Sequence, residues 1–143
     1  MTEHSQYLRN QIFSASPEQL LIMLYDGAIR FTRQAIHGVE ENNLEMMTHG
    51  IRRAMAIITE FSNTLNHEIG GAIADNLDAL YNFMVRELTL ANLRRDVDKL
   101  HVVENLLTGL RTTWSEAIEI NHSATHAAVP PQHEYAPLSV AAA

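Results

Sequence analysis

The chain lacks several features that mark large classes of protein. It has no cysteine, which excludes disulfides and thiol chemistry. No run of 18 apolar residues occurs, and no basic segment precedes an apolar one at the N-terminus, so we expect neither a membrane span nor a signal peptide. The formal charge is -7, and no basic cluster exceeds Arg52-Arg53 or Arg94-Arg95. Nucleic acids and acidic membranes are therefore poor partners, and we expect a cytoplasmic protein of one domain.

The sharpest local signal is the start of a helix at Pro17. Ser16 is placed as its N-cap, Pro17 suits the first helical position, and Gln19 completes a capping box. Every residue from position 20 to 25 is apolar or aromatic, so this part of the helix has no polar side. Neighbouring helices should cover one side, and either the N-terminal segment or a partner protein should cover the other.

Apolar residues spaced by three and four continue through three more segments. The predicted helices cover about residues 17–41, 43–68, 72–93 and 97–120. Gly70-Gly71 marks the break between the second and third helices, and Asp96 is the N-cap of the fourth. The prediction is an all-α protein, an antiparallel up-down four-helix bundle over residues 16–121, with an N-terminal arm (1–15) and a disordered C-terminal tail (122–143).

Motifs for catalysis or metal binding are few. Di-iron bundles need two Glu-x-x-His pairs, and only Glu119 and His122 have a matching spacing at the end of a helix. The chain has no glycine-rich phosphate loop and no covalent-haem motif. We expect no enzymatic activity and no cofactor, with a metal-binding bundle as a remote alternative.

Motifs along the whole bundle resemble those of the FliS family of flagellar export chaperones. They are SASPEQLLIMLYDGAIRF at 14–31, IRRA at 51–54, Gly70-Gly71, Asn76-Leu77 with Leu80-Tyr81, Ala91-Asn92, and Leu106-Leu107 to Leu110-Arg111 with Trp114. The resemblance covers about residues 5–120. It implies a cytoplasmic chaperone that binds the disordered C-terminal segment of flagellin, prevents premature polymerisation and aids delivery to the flagellar type III export apparatus.

The resemblance also implies hydrophobic grooves, because a disordered client must bury a large apolar area to offset its ordering entropy. The resemblance implies that the N-terminal arm can cover part of these grooves, and a frayed arm is the alternative. Ordinary core packing is the alternative for every apolar candidate. The predicted client-binding residues are Tyr7, Ile12, Tyr25, Tyr81, Met84, Leu88 and Leu107, with Asn10, Asp26, Asn76 and Asn92 as polar anchors for the client backbone.

One further class of function stays open at this point. A regulatory adaptor that sequesters a flagellar regulator, such as an anti-sigma factor, would use the same kind of bundle. Flagellin is the first expected partner, followed by the export gate and that anti-sigma factor. A weak homodimer is also left open.

Overall fold

A computed structural model describes residues 3–128, apart from the side chains of residues 4, 8, 11–13 and 125–128. It contains five helices, which are α1 (Glu3–Ser14), α2 (Pro17–Glu40), α3 (Leu44–Asn63), α4 (His67–Arg94) and α5 (Val97–Ala128). No strand occurs in this part of the chain. The predicted all-α fold class is confirmed.

Helices α2 to α5 form a ring in which each helix packs against two neighbours. The packed pairs are α2 with α3, α3 with α4, α4 with α5, and α5 with α2. Three charged side chains of α2 bind α5. They are Glu18, Asp26 and Arg33, and their partners are His122, Arg111 and Glu104. Numbers rise along α2 as they fall along α5, as an up-down bundle requires. Helix α1 does not belong to any of these close-packed pairs.

Side-chain caps fix the helix starts, and those at Ser16 and Asp96 are the ones that the sequence predicts. The Gln19 backbone N–H donates to Ser16 Oγ at 3.1 Å, and the Ser16 backbone N–H donates to Gln19 Oε1 at 3.0 Å. This reciprocal pair is the predicted capping box. Asn43 caps α3 by accepting from the Met46 backbone N–H, and Asp96 accepts from the first turn of α5.

The break between the second and third bundle helices lies earlier than predicted. Helix α3 ends at Asn63, and α4 begins at His67 because the side chain of Asn66 caps it by accepting from the Ile69 backbone N–H. Gly71 lies inside α4, where its φ of +51° kinks the helix. The glycine pair therefore marks a kink, which suits glycine because it has no side chain to oppose a positive φ.

Both ends of the chain also differ from the prediction. The predicted arm contains a helix, α1, from Glu3 to Ser14. Helix α5 continues to Ala128 instead of ending near residue 120, so the first residues of the predicted disordered tail are helical. The first proline after Asn121 is Pro130, and no helix-breaking residue precedes it in that stretch. The rest of that tail, residues 129–143, lies outside the described residues.

Helices α2 and α3 meet through glycines. A Cβ atom on Gly50 would lie 2.5 Å from the carbonyl oxygen of Phe31 and 2.7 Å from the backbone nitrogen of Ala35. A Cβ atom on Gly38 would lie 2.4 Å from the backbone nitrogen of Met47. Because these neighbours are backbone atoms, a larger residue would force the helices apart. We call the contact around Gly38 and Gly50 the glycine seam.

Candidate functional site

One buried aromatic cluster joins all four bundle helices. It consists of Tyr25 on α2, Phe61 on α3, Tyr81 on α4 and Trp114 on α5. The rings of Tyr25 and Phe61 stack with centroids 4.4 Å apart, and those of Phe61 and Tyr81 are 5.6 Å apart. The two tyrosine hydroxyl oxygens are 2.7 Å apart, and the Trp114 indole N–H donates to the Tyr25 hydroxyl at 3.1 Å. The polar atoms of this cluster satisfy one another, as buried polar groups must.

Burial governs the ionisation of the two tyrosines. It raises the pKa of Tyr25 above the ordinary value of 10.0, and the hydrogen bonds with Tyr81 and Trp114 offset this in part. Burial also raises the pKa of Tyr81, and the neighbouring Tyr25 adds to the shift. Both hydroxyls are therefore protonated at neutral pH, where they act as hydrogen-bonding groups of the core.

Five of the predicted client-binding residues lie in the core and not on a surface. Each is at most 2% exposed, and they are Tyr25, Tyr81, Met84, Leu88 and Leu107. They occupy the inward stripes of their helices, so the helices pack on one another through them. This is the alternative that the sequence left open. A client would reach these side chains only if the helices separated.

The other predicted residues with described side chains are exposed but scattered. They are Tyr7 and Asn10 on α1, Asp26 on α2, and Asn76 and Asn92 on α4. Asp26 binds Arg111 at 2.8 Å, and Asn92 Oδ1 accepts from the Thr48 hydroxyl at 3.4 Å. The side chain of Ile12 lies outside the described residues. These polar anchors therefore do not converge on one groove.

An open cleft lies between the start of α2 and the last turns of α5. Its volume is about 480 Å³, and Ile22, Met23 and Ile118 supply its apolar lining. Cavities of this size commonly bind ligands or side chains. The remaining lining residues are Ser14, Ala15, Ser16, Glu18, Gln19, Ser115 and His122. We call this feature the α2–α5 cleft.

Exposed isoleucines lie at the same end of the bundle as the cleft. Helices α2 and α4 run in the same direction, so the start of α4 lies at this end. Ile69 and Ile73, on either side of the Gly71 kink, are 69% and 55% exposed, and Ile120 on α5 is 69% exposed. The next residue after Ile73, Ala74, is fully buried and faces the core. Sequence reasoning missed this surface, because the kink interrupts the apolar spacing that would have revealed it.

Ion pairs cross the boundary between α2 and α5. Arg33 Nε lies 2.7 Å from Glu104 Oε2, and Arg111 Nε lies 2.8 Å from Asp26 Oδ1. The hydrogen bond from Arg33 lowers the pKa of Glu104 below the ordinary value of 4.5, with a smaller contribution from His101. The hydrogen bond to Asp26 raises the pKa of Arg111. We call these two pairs the ion-pair seam.

His122, which belongs to the Glu-x-x-His pair in the sequence, binds another helix. His122 Nε2 lies 2.6 Å from Glu18 Oε2, so it joins α5 to the start of α2. In residues 3–128, no group of three or more His, Asp or Glu side chains is arranged to hold a metal ion. None of the helices in that range combines the length and the hydropathy needed to cross a membrane.

Comparison with known proteins identifies the family. The family model described as Flagellar protein FliS matches residues 1–121. This chain belongs to the FliS family. The FliS match includes the cleft except for His122, and it ends before the last turns of α5.

Three curated relatives named Flagellar secretion chaperone FliS show the same relationship. The protein of Salmonella typhimurium is 36% identical over 110 residues, which are 76% of this chain and 82% of the relative. That of Campylobacter jejuni is 35% identical over 113 residues, covering 79% and 88% of the two chains. That of Bacillus subtilis is 32% identical over 123 residues, covering 86% and 91%. The predicted FliS resemblance is confirmed.

Proposed function

We propose that this chain is a cytoplasmic chaperone that binds the disordered C-terminal segment of flagellin, prevents its premature polymerisation and aids its delivery to the flagellar type III export apparatus. The role is binding and not catalysis. Membership of a family of flagellar secretion chaperones supports it. The observation that carries it is the apolar surface at one end of the bundle, formed by the α2–α5 cleft and the exposed isoleucines.

The proposed client surface begins in the α2–α5 cleft. Ile22, Met23 and Ile118 are only half buried there, so apolar client side chains can complete their burial. An amphipathic helix laid into such a groove contacts it through residues three and four apart. The hydroxyls and amides around the cleft, including those of Ser115 and Gln19, can bind client polar groups.

The exposed isoleucines extend this surface beyond the cleft. A disordered segment that folds on binding needs an interface of about 1,000–3,000 Å², which is more than one cleft of this size provides. Ile69, Ile73 and Ile120 lie at the same end and supply further apolar area. A client that contacts the cleft and these residues would follow the bundle over several turns.

Helix α1 is proposed to compete with the client for this end of the bundle. It leads directly into the cleft, because Ser14 at its end and Ala15 just beyond are lining residues. Tyr7 is 63% exposed, so in this conformation its ring is available for other contacts. A chain without residues 2–13 should bind the client more tightly and be less soluble when free. Unchanged affinity and solubility would exclude a covering role for α1.

Isothermal titration with a synthetic flagellin C-terminal peptide tests the proposed client. We expect saturable binding with a negative heat-capacity change, because apolar surface is buried. Ile69→Glu and Ile120→Glu should each weaken binding about tenfold or more, since a charge would face the apolar client. Both residues are exposed, so neither substitution should unfold the bundle.

Leu93→Glu is the matched control, because Leu93 is 77% exposed at the opposite end of the bundle. It should leave the affinity unchanged. Equal losses in all three variants would show that the effect is one of general charge. No binding at high micromolar peptide concentration would refute flagellin as the client.

Two further partners remain proposals based on the FliS family resemblance. These are the export gate and an anti-sigma factor, which would make the bundle a regulatory adaptor. The titration above separates the roles, because an adaptor without chaperone activity would bind the anti-sigma factor and not the flagellin peptide.

A further inference from the structure

A second surface, away from the cleft, carries positive charge. It lies across α2 and α3 and consists of Arg30, His49 and Arg53 around the half-buried ring of Phe31, with Arg52 in the same cavity lining as His49. The chain as a whole has a formal charge of -7, so a concentration of cations on one face is an exception. We call this surface the basic platform.

The ring of Phe31 holds two of the guanidinium groups in place. The guanidinium carbon of Arg30 lies 5.2 Å from the ring centroid, and that of Arg53 lies 5.3 Å from it. The ring of His49 meets Phe31 edge-on at 6.1 Å. A guanidinium over an aromatic face is attracted by the ring and still has its N–H edge for another partner. The platform therefore presents oriented donors with reduced freedom.

These arginines differ from the arginines of the ion-pair seam. Arg33 and Arg111 are bound to Glu104 and Asp26. Within residues 3–128, the ion pairs shorter than 4.0 Å do not include Arg30, Arg52 or Arg53. All three are exposed, so their charge is available to a partner.

A polar cavity continues the basic platform along the start of α3. Its volume is about 680 Å³, and its lining includes Gln34, Thr48, His49 and Arg52. Glu45 also lines it and is the one carboxylate in the lining. The cavity gives a bound segment a place for polar side chains next to the cations.

We propose that the basic platform binds an acidic polypeptide segment of a partner protein. Carboxylates match the forked donors of guanidinium groups and form charge-assisted hydrogen bonds with them. The rest of the surface is negative overall, so it repels a long polyanion such as a nucleic acid or an anionic membrane. A short acidic segment contacts only the platform and avoids that repulsion. The site is separate from the proposed flagellin surface, which uses the first turns of α2, the last turns of α5 and the start of α4.

Chemical-shift mapping of the isotopically labelled full chain tests this proposal. The probe is a capped alanine-based peptide of about twelve residues with about four glutamates at helical spacing. The same peptide with glutamines in place of glutamates is its control. We expect the glutamate peptide to shift the amide signals of Arg30, Phe31, His49, Arg52 and Arg53, with an affinity that falls as salt increases. The glutamine peptide should leave these signals unchanged.

A triple variant tests the cations, and it combines Arg30→Gln, Arg52→Gln and Arg53→Gln. It should bind the glutamate peptide about tenfold more weakly, as expected for the loss of three exposed ion pairs. The matched control removes the same number of charges with Arg9→Gln, Arg86→Gln and Arg94→Gln. These three arginines are exposed and lie outside the platform, so it should have no effect. Equal binding of the two peptides, or shifts outside the platform, would overturn the proposal. So would tighter binding of a single-stranded oligonucleotide or of phosphatidylserine vesicles.

The platform variant also separates this site from the proposed function. The triple variant should bind the flagellin C-terminal peptide with unchanged affinity. A flagellin peptide that shifts the platform signals would show that the platform is part of the client surface, which overturns an independent site. Failure of flagellin binding alone would leave the platform result standing.

Discussion

Helix α2 is held on its two sides in different ways. Toward α3 it forms the glycine seam, where backbone atoms of the two helices approach within contact distance. Toward α5 it forms the ion-pair seam, with the α2–α5 cleft at one end and a cavity of about 440 Å³ beside Arg30, Arg33 and Arg111. Close packing leaves no room for a partner between the helices, whereas polar bridges leave gaps. The α2–α3 boundary therefore fixes the helix spacing and can bind a partner only on its outer surface, whereas the α2–α5 boundary has an apolar cleft at one end.

Gly50→Ala should have the largest effect, because it disrupts the glycine seam. The added methyl group would overlap backbone atoms of Phe31 and Ala35, which cannot move without shifting α2. We expect a loss of about 3 kcal/mol in the free energy of unfolding, measured by urea denaturation with circular dichroism. Gly109→Ala on α5 is the control, because nothing lies within 4 Å of its Cβ position. It should gain up to about 1 kcal/mol from helix propensity. Equal effects at the two positions would contradict a tight seam.

Tyr25→Phe tests whether α2 and α5 are held by the buried cluster or by surface charges. The change removes the hydroxyl that accepts from Trp114, and the buried indole N–H loses its partner. We expect a loss of about 2 kcal/mol in the free energy of unfolding. Tyr81→Phe leaves that hydrogen bond intact and should cost less. The reverse order in urea denaturation would show that Trp114 does not depend on Tyr25.

Alkaline pH should weaken the same cluster without a mutation. The pKa of both buried tyrosines lies above 10.0, the value expected in the unfolded chain. Above that pH the unfolded chain loses protons that the folded chain retains, so stability should fall as pH rises. Denaturation series from pH 8 to about pH 11 measure the effect. The double variant Tyr25→Phe with Tyr81→Phe should show a smaller dependence, and an unchanged slope would assign it to other groups.

Glu104→Gln should have the smallest effect, because it removes only one exposed ion pair of the ion-pair seam. Arg33 is 61% exposed, so its ion pair with Glu104 is screened and is worth about 0.5 kcal/mol. The pKa of Glu104 is lowered in the folded state, so its contribution is present at neutral pH and is lost as pH falls below about 4.5. The variant should lose that part of the acid dependence. A cost as large as that of Tyr25→Phe would mean that charges hold this seam.

Local signals in the sequence predicted the parts of the fold that depend on neighbouring residues. Ser16 and Gln19 specify a capping box within one turn, and the structure contains it. Gly71 misled the prediction because a glycine permits either a helix end or a kink, and the cap at Asn66 decides between them. The sequence also predicted helices before the tail but not the extension to Ala128.

The candidate site was harder to predict because its contacts join distant residues. The burial of Tyr25 depends on Tyr81 and Trp114, which lie 56 and 89 positions away in the sequence. Asp26 was predicted as an anchor for the client, but it binds Arg111, which lies 85 positions away in the sequence. No local sequence pattern indicates that pair. Apolar side chains alone do not show which of them face the core. That choice is made by helix packing, which placed Leu88 inside and Ile120 outside.

Trp114 can serve as an intrinsic fluorescence probe. It is the sole tryptophan of the chain, and its indole N–H is hydrogen-bonded inside the aromatic cluster. The next residue, Ser115, lines the α2–α5 cleft. Emission excited selectively in this indole therefore originates from one residue of the aromatic cluster, next in sequence to a cleft residue. Fluorescence of the unlabelled protein can follow both unfolding and occupation of the cleft.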